Sequence, residues 1–137
     1  MSNRFERFGT GFVDLAIKEL KKPKTFLDDL NKFVNWKPIE KVLKKKLRKR
    51  KDVIGNPAYP SLNMFKVLLL QRWYSLSDSG TEESLADRIS FRLFVNFSFD
   101  YDTPDSSTIC RFRNELIKHK LIEKLLYIIN INPVVKY

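Results

Sequence analysis

The stretch SLNMFKVLLLQRWYS, residues 61–75, limits the fold more than any other part of the chain. Wound into a helix, it carries Leu62, Met64, Phe65, Val67, Leu68, Leu69 and Leu70 on more than one side. Such a helix cannot lie with one face in water, so other elements must enclose it. It also cannot cross a bilayer. The apolar run is interrupted by Lys66 and followed by Gln71 and Arg72, far short of the ~20 apolar residues a span requires.

The enclosing elements are legible as further helices. Phe12, Leu15, Ala16 and Leu20 recur at helical spacing and stop near Pro23. Phe26, Leu27, Leu30, Phe33 and Val34 form a second stripe, with Thr25 as its expected N-cap. Pro38 suits the first turn of a third helix, whose apolar residues are Ile39, Val42, Leu43 and Leu47. After the central helix, for which Ser61 is the expected cap, SLSDSGTEESL reads as a turn and a new helix start capped by Ser79 or Thr81. Leu85, Ile89, Phe91, Leu93, Phe94 and Phe97 continue the core, and a last helix runs over about residues 121–130. No stretch alternates as a strand would. The fold expected is all-α: a compact multi-helix domain with a basic N-terminal helical arm, for which a helix-turn-helix-like arrangement is one available form.

Gly55, Asn56, Pro57 and Pro60 mark a loop, and the expected division follows from it: an arm over 1–54, a helical core over 55–132 and a divergent tail over 133–137. Charge is divided as unevenly. The chain carries a net +10, yet Lys41–Lys51 (KVLKKKLRKRK) holds eight basic residues in eleven and no acid. Residues 75–105 hold seven acids against Arg88 and Arg92. A concentrated cationic block suits a polyanion, and its embedded apolar residues argue for a helix rather than a disordered tail. Lys41, Lys44, Lys45, Lys46, Arg48, Lys49, Arg50 and Lys51 are the expected phosphate contacts.

TPDSSTICRFRNEL, residues 103–116, moves from turn chemistry to helix chemistry, with Asp105 or Ser106 as the cap of a helix reaching about His119. Ile109, Phe112 and Leu116 must face the core. Ser107, Arg111, Asn114 and Lys118 then line the opposite side, with Thr108 beside them. Hydroxyls, a helix N-terminus and Lys contact phosphates, while Arg and Asn can read guanine and adenine edges. Ordinary capping and surface solubility use the same residues. Arg113 borders the core stripe, where it can either reach DNA or brace an acid.

Catalytic chemistry finds no support in the residues. His119, the sole histidine, ends a basic helix and suits a dipole partner. Cys110 is the sole cysteine, which leaves neither a disulfide nor a CxxC zinc motif and fits a reducing compartment. No glycine-rich phosphate loop exists among four glycines.

Three pieces in register, LLLQRWYSLSD (68–78), ISFRLF (89–94) and PDSSTICRFRNEL (104–116), carry a resemblance. Residues 59–116 look like the N-terminal domain of bacterial insertion-sequence transposases of the InsH type. The resemblance implies a helical domain ahead of a ribonuclease H-like domain, whose Asp-Asp-Glu triad would hold two divalent ions. It also implies recognition of terminal inverted repeats by the N-terminal portion.

The chain ends at Tyr137 before such a triad, so the expectation is a truncated transposase product that is not an enzyme and takes no cofactor of its own. Double-stranded DNA is the expected partner, with a cytoplasmic, nucleoid-associated location. The alternative is a helical oligomerisation module, a homodimer or a partner of full-length transposase, paired through the apolar residues Leu121, Ile122, Leu125, Leu126, Ile128 and Ile129.

Overall fold

The computed structural model describes residues 25–47, 59–98 and 102–131, with side chains to Ile129 in the last helix. The expected helix around Phe12–Leu20, the basic residues Arg48–Lys51 and the tail 133–137 lie outside them. Among the described residues there are seven helices and no strand: α1 (Phe26–Phe33), α2 (Lys37–Lys46), α3 (Ser61–Trp73), α4 (Asp78–Asp87), α5 (Ile89–Val95), α6 (Ser106–Lys118) and α7 (Ile122–Ile131). The fold is all-α.

The central position expected for residues 61–75 is observed. α3 packs against α2, α4, α5 and α6, and Met64, Phe65, Val67, Leu69 and Leu70 are buried. α1 packs on α5, α2 also meets α7, and α4 bridges α5 and α6. Leu27, Leu30, Val34, Ile39, Leu43 and Leu47, from the segment expected as an arm, lie in the same apolar cluster as α3, α5 and α6. In the described residues, arm and core therefore share one interior. Phe33 departs from the expected stripe of α1: it is exposed, with the Lys32 ammonium 5.4 Å from its ring.

The helix starts follow backbone direction more than side-chain type. Thr25 begins α1 as expected, and its N–H donates to Asp28 Oδ2 (2.9 Å) as in a capping box. The caps expected at Ser61, Ser79 and Thr81 are corrected. Pro60 is the N-cap of α3, and Ser61 is its first helical residue. Ser77 caps α4, its Oγ accepting the Gly80 N–H at 3.0 Å. Ser77 is the residue still in extended conformation (φ −71°, ψ 170°), which is what a capping side chain requires. Thr81 is buried within α4, its hydroxyl donating to the Ser77 carbonyl at 2.7 Å.

Three helices stop in one way, without glycine. Ser75, Asn96 and Lys120 adopt left-handed φ values of 52°, 63° and 55°. In each case the next residue is apolar and its N–H reaches back five positions: Leu76 to Gln71, Phe97 to Arg92 and Leu121 to Leu116 (2.9–3.2 Å). This is the Schellman closure, in which the apolar residue covers the last turn it caps. Phe97 and Leu121 are buried there.

The end of α5 is gripped by side chains from other helices. Asn63 Nδ2 donates to the Val95 carbonyl (2.8 Å), and Asn31 Nδ2 donates to that of Phe94 (3.0 Å). Lys66, buried on α3, also reaches the Phe94 carbonyl (3.3 Å). Orphan carbonyls at a helix end are thereby satisfied. No helix among the described residues is long and apolar enough to cross a membrane.

Candidate nucleic-acid interface

Packing fixes the orientation of α2. Ile39 and Leu43 are fully buried and Leu47 nearly so, and this turns the remaining positions toward solvent. Lys37, Lys41, Lys44, Lys45 and Lys46 are all exposed. Four of them, at 37, 41, 44 and 45, follow helical spacing i, i+4, i+7 and i+8, so they stack as one row. Of the expected phosphate contacts, Lys41, Lys44 and Lys45 lie in this row, and Lys46 is exposed beside it. Lys37 was not in the expected set, although its place four residues before Lys41 was a usable signal. Glu40 is the one acid on this helix, and it pairs with Lys44 at 3.5 Å. An exposed pair of this kind contributes only about 0.5 kcal/mol and leaves the field of the face positive.

α6 supplies the second polar face. Ile109, Phe112 and Leu116 are buried, and Ser107, Arg111, Asn114 and Lys118 are exposed on the far side, as their spacing requires. Asp105 is the N-cap. Its Oδ1 accepts from the Thr108 N–H (2.8 Å) and from the Ser107 hydroxyl (2.9 Å). Hydrogen bonds from Thr108 first, and then from Ser107, hold the Asp105 carboxyl below its usual range. Arg111 Nη2 meets Thr108 Oγ1 at 3.4 Å, so Ser107, Thr108 and Arg111 are gathered around Asp105.

The start of α6 is thus not an open cradle for phosphate. The Ser106 N–H donates to Glu82 Oε1 (2.8 Å) from α4, and the Thr108 N–H is taken by Asp105. Two carboxylates already occupy donors that an anion would need. Glu82 was missed from sequence because its partner lies 24 residues away. The part of α6 that remains suited to DNA is farther along: Arg111, Asn114 and Lys118. Asn114 Nδ2 lies 3.7 Å from Cys110 Sγ, so the half-buried cysteine borders this face.

Arg113 takes the bracing alternative. Its guanidinium bonds both Asp78 oxygens and also Gln71 Oε1 (2.9 Å), tying α6 to α4 and α3. Lys66, invisible as a special residue in the sequence, sits where α1, α2, α3 and α5 meet. Burial pushes its ammonium down to about 8, against a smaller upward pull from Glu40. Among the described residues no group of three or more His, Cys, Asp or Glu side chains is placed to hold a metal ion.

The chain matches the family model described as Transposase domain (DUF772) over residues 15–115, well beyond half its length. No solved structure matches it. The match spans α1 through Glu115 of α6, taking in the lysine row of α2 and the α6 polar face except Lys118, and the chain belongs to this transposase domain family.

Proposed function

We propose that the chain is the DNA-binding portion of an insertion-sequence transposase of the InsH type, with the terminal inverted repeats of the element as its target. The observation that carries this reading is the lysine row of α2. Its apolar residues are buried, so concentrated positive charge is held outward on a folded helix within a transposase domain. Lys41, Lys44, Lys45 and Lys46 bind phosphates, and Arg48, Lys49, Arg50 and Lys51 extend the same block in sequence. On α6, Arg111, Asn114 and Lys118 add contacts, with Arg111 and Asn114 the two able to read base edges. Ser107 and Thr108 orient Asp105 and Arg111, and Arg113 is assigned to bracing.

In this reading the chain grips and does not cut. Strand cleavage belongs to a metal-binding domain outside residues 1–137, and no cofactor is required for binding. A mobility-shift titration on duplexes bearing such ends tests the function: binding should weaken steeply with salt. Charge reversal at Lys44–Lys46 that left affinity untouched would defeat it, and magnesium-dependent nicking would defeat the non-enzymatic assignment.

A second reading is supported by a different surface. A groove of about 80 Å³ between α3, α6 and α7 is lined by Leu68, Leu116, Ile122 and Leu126, with Arg72 among its polar neighbours. Ile117 on α6 and Tyr127 on α7 are 56% and 66% exposed. This apolar exposure supports pairing with another copy or with full-length transposase through α7. Light scattering that gave a monomer at high concentration would count against it.

A further inference from the structure

Among the described residues, Lys66 is the one charged side chain that is buried, at 7% exposure. Its Nζ donates to Asn31 Oδ1 on α1 (2.8 Å) and to the Phe94 carbonyl on α5 (3.3 Å). It also stands 4.5 Å from the Trp36 ring and 5.3 Å from the Phe94 ring. Trp36 is the N-cap of α2, and its carbonyl accepts the Glu40 N–H (2.9 Å), the first hydrogen bond of that helix. The Trp36 indole N–H is buried and has no hydrogen-bond acceptor among the described residues. The indole is therefore held by its ring contacts: Lys66 against the ring and Phe94 in an edge-on arrangement at 6.0 Å.

These contacts converge on the entry to the basic helix. We propose that Lys66 is a positioning residue for α2: its ammonium, anchored by Asn31 and the end of α5, clamps Trp36 and so fixes the direction in which the lysine row is presented. The consequence for DNA rests on the function proposed above, whereas the clamp itself can be measured without DNA. The groups facing Lys66 are Asn31 from α1, Trp36 and Glu40 from α2, and Phe94 from α5. Only Glu40 among them is charged. A change in Lys66 protonation is thus read directly by the indole beside it.

The test uses the full chain. The chain has two tryptophans, so Trp73→Phe leaves Trp36 as the sole indole emitter. Its emission should show a transition near pH 8, absent in Lys66→Met and moved to lower pH in Glu40→Gln, which removes the acid that favours the ammonium. Amide exchange should become about tenfold faster at Leu43 and Leu47 in Lys66→Met, with α6 amides changed less than about twofold. Affinity for DNA should fall about threefold to tenfold in the same variant through the loss of orientation.

An emission transition that survives in Lys66→Met overturns the proposal. So does exchange that is unchanged in α2 or accelerated equally in α6, since the latter marks a general structural role. Unchanged DNA affinity alongside a loosened α2 overturns the positioning role. If the parent chain binds no duplex at all, the proposed function falls, and the clamp stands or falls on emission and exchange. Should Lys66→Met not fold, Glu40→Gln decides: a transition it fails to move contradicts the clamp.

Discussion

The Arg113 guanidinium meets both carboxylate oxygens of Asp78, and Gln71 closes the triangle by donating to Asp78 Oδ1 (2.6 Å) while accepting from Arg113. Three helices are joined at one point. The pair is about one-third exposed on each side, so its net worth is that of a good surface pair, about 1 kcal/mol. Arg113→Ala is expected to lower stability by about that amount in urea unfolding, with DNA affinity little changed once folded. Arg113→Lys should recover only part, because an ammonium cannot bond both oxygens and Gln71 as a planar fork does.

Acid should weaken the same triangle. The hydrogen bond from Arg113 leads the causes that hold the Asp78 carboxyl below its ordinary 3.8. A depressed carboxylate contributes stability above the unfolded value, and that stability is lost as pH falls through the folded one. Stability measured from about pH 5 downward should therefore fall more steeply in the parent than in Arg113→Ala.

Alkali should act in the opposite sense through Lys66. The folded group loses its proton near 8, the unfolded one near 10.5, so between these values the unfolded state binds more protons. Stability then rises with pH across that window, by at most about 3 kcal/mol. Urea midpoints taken between about pH 7 and pH 9.5 should increase in the parent and stay flat in Lys66→Met.

The left-handed residues give a prediction on the backbone alone. Ser75 and Lys120 carry a Cβ into a conformation that disfavours it by about 1 kcal/mol. Ser75→Gly and Lys120→Gly should each stabilise the fold by about 0.5 kcal/mol after the added freedom of the unfolded chain is counted. A melting temperature raised by a few degrees in each variant would bear this out, and an unchanged or lowered one would not.

Helix faces were legible because they depend on neighbours three and four residues away. The stripes Ile39–Leu43–Leu47 and Ile109–Phe112–Leu116 are buried as their spacing implies. The cap of α6 was legible only as Asp105 or Ser106, and the backbone path selects Asp105. Ser77 was not legible as a cap, since Ser77, Ser79 and Thr81 are chemically similar and only the backbone path selects one. The ends of α3 and α6 were legible to within two residues, but the left-handed closures at Ser75, Asn96 and Lys120 were not, for want of the usual glycine signal. Lys66 read as an interruption in an apolar run. Its meaning depends on Asn31 and Phe94, 35 and 28 residues away, which periodicity does not reach.

The start of α6 shows the same limit in the functional reading. Its serines and threonine suggested an anion cradle, whereas Glu82 and Asp105 fill it. Asp105→Ala should cost about 1 kcal/mol as a lost cap, and Asp105→Asn much less. Neither should reduce DNA affinity. Thermal unfolding and a binding titration of both variants separate the two roles.

The most direct measurement of the central claim is the slope of log affinity against log salt for duplex DNA. It compares the parent with a variant in which Lys41, Lys44, Lys45 and Lys46 are changed to Gln. If these side chains meet phosphates, each contributes about 0.9 to the slope, so the variant should be shallower by about 3.6 units and weaker at every salt concentration. Equal slopes and equal affinity in the two proteins would contradict the assignment of α2 as the gripping face.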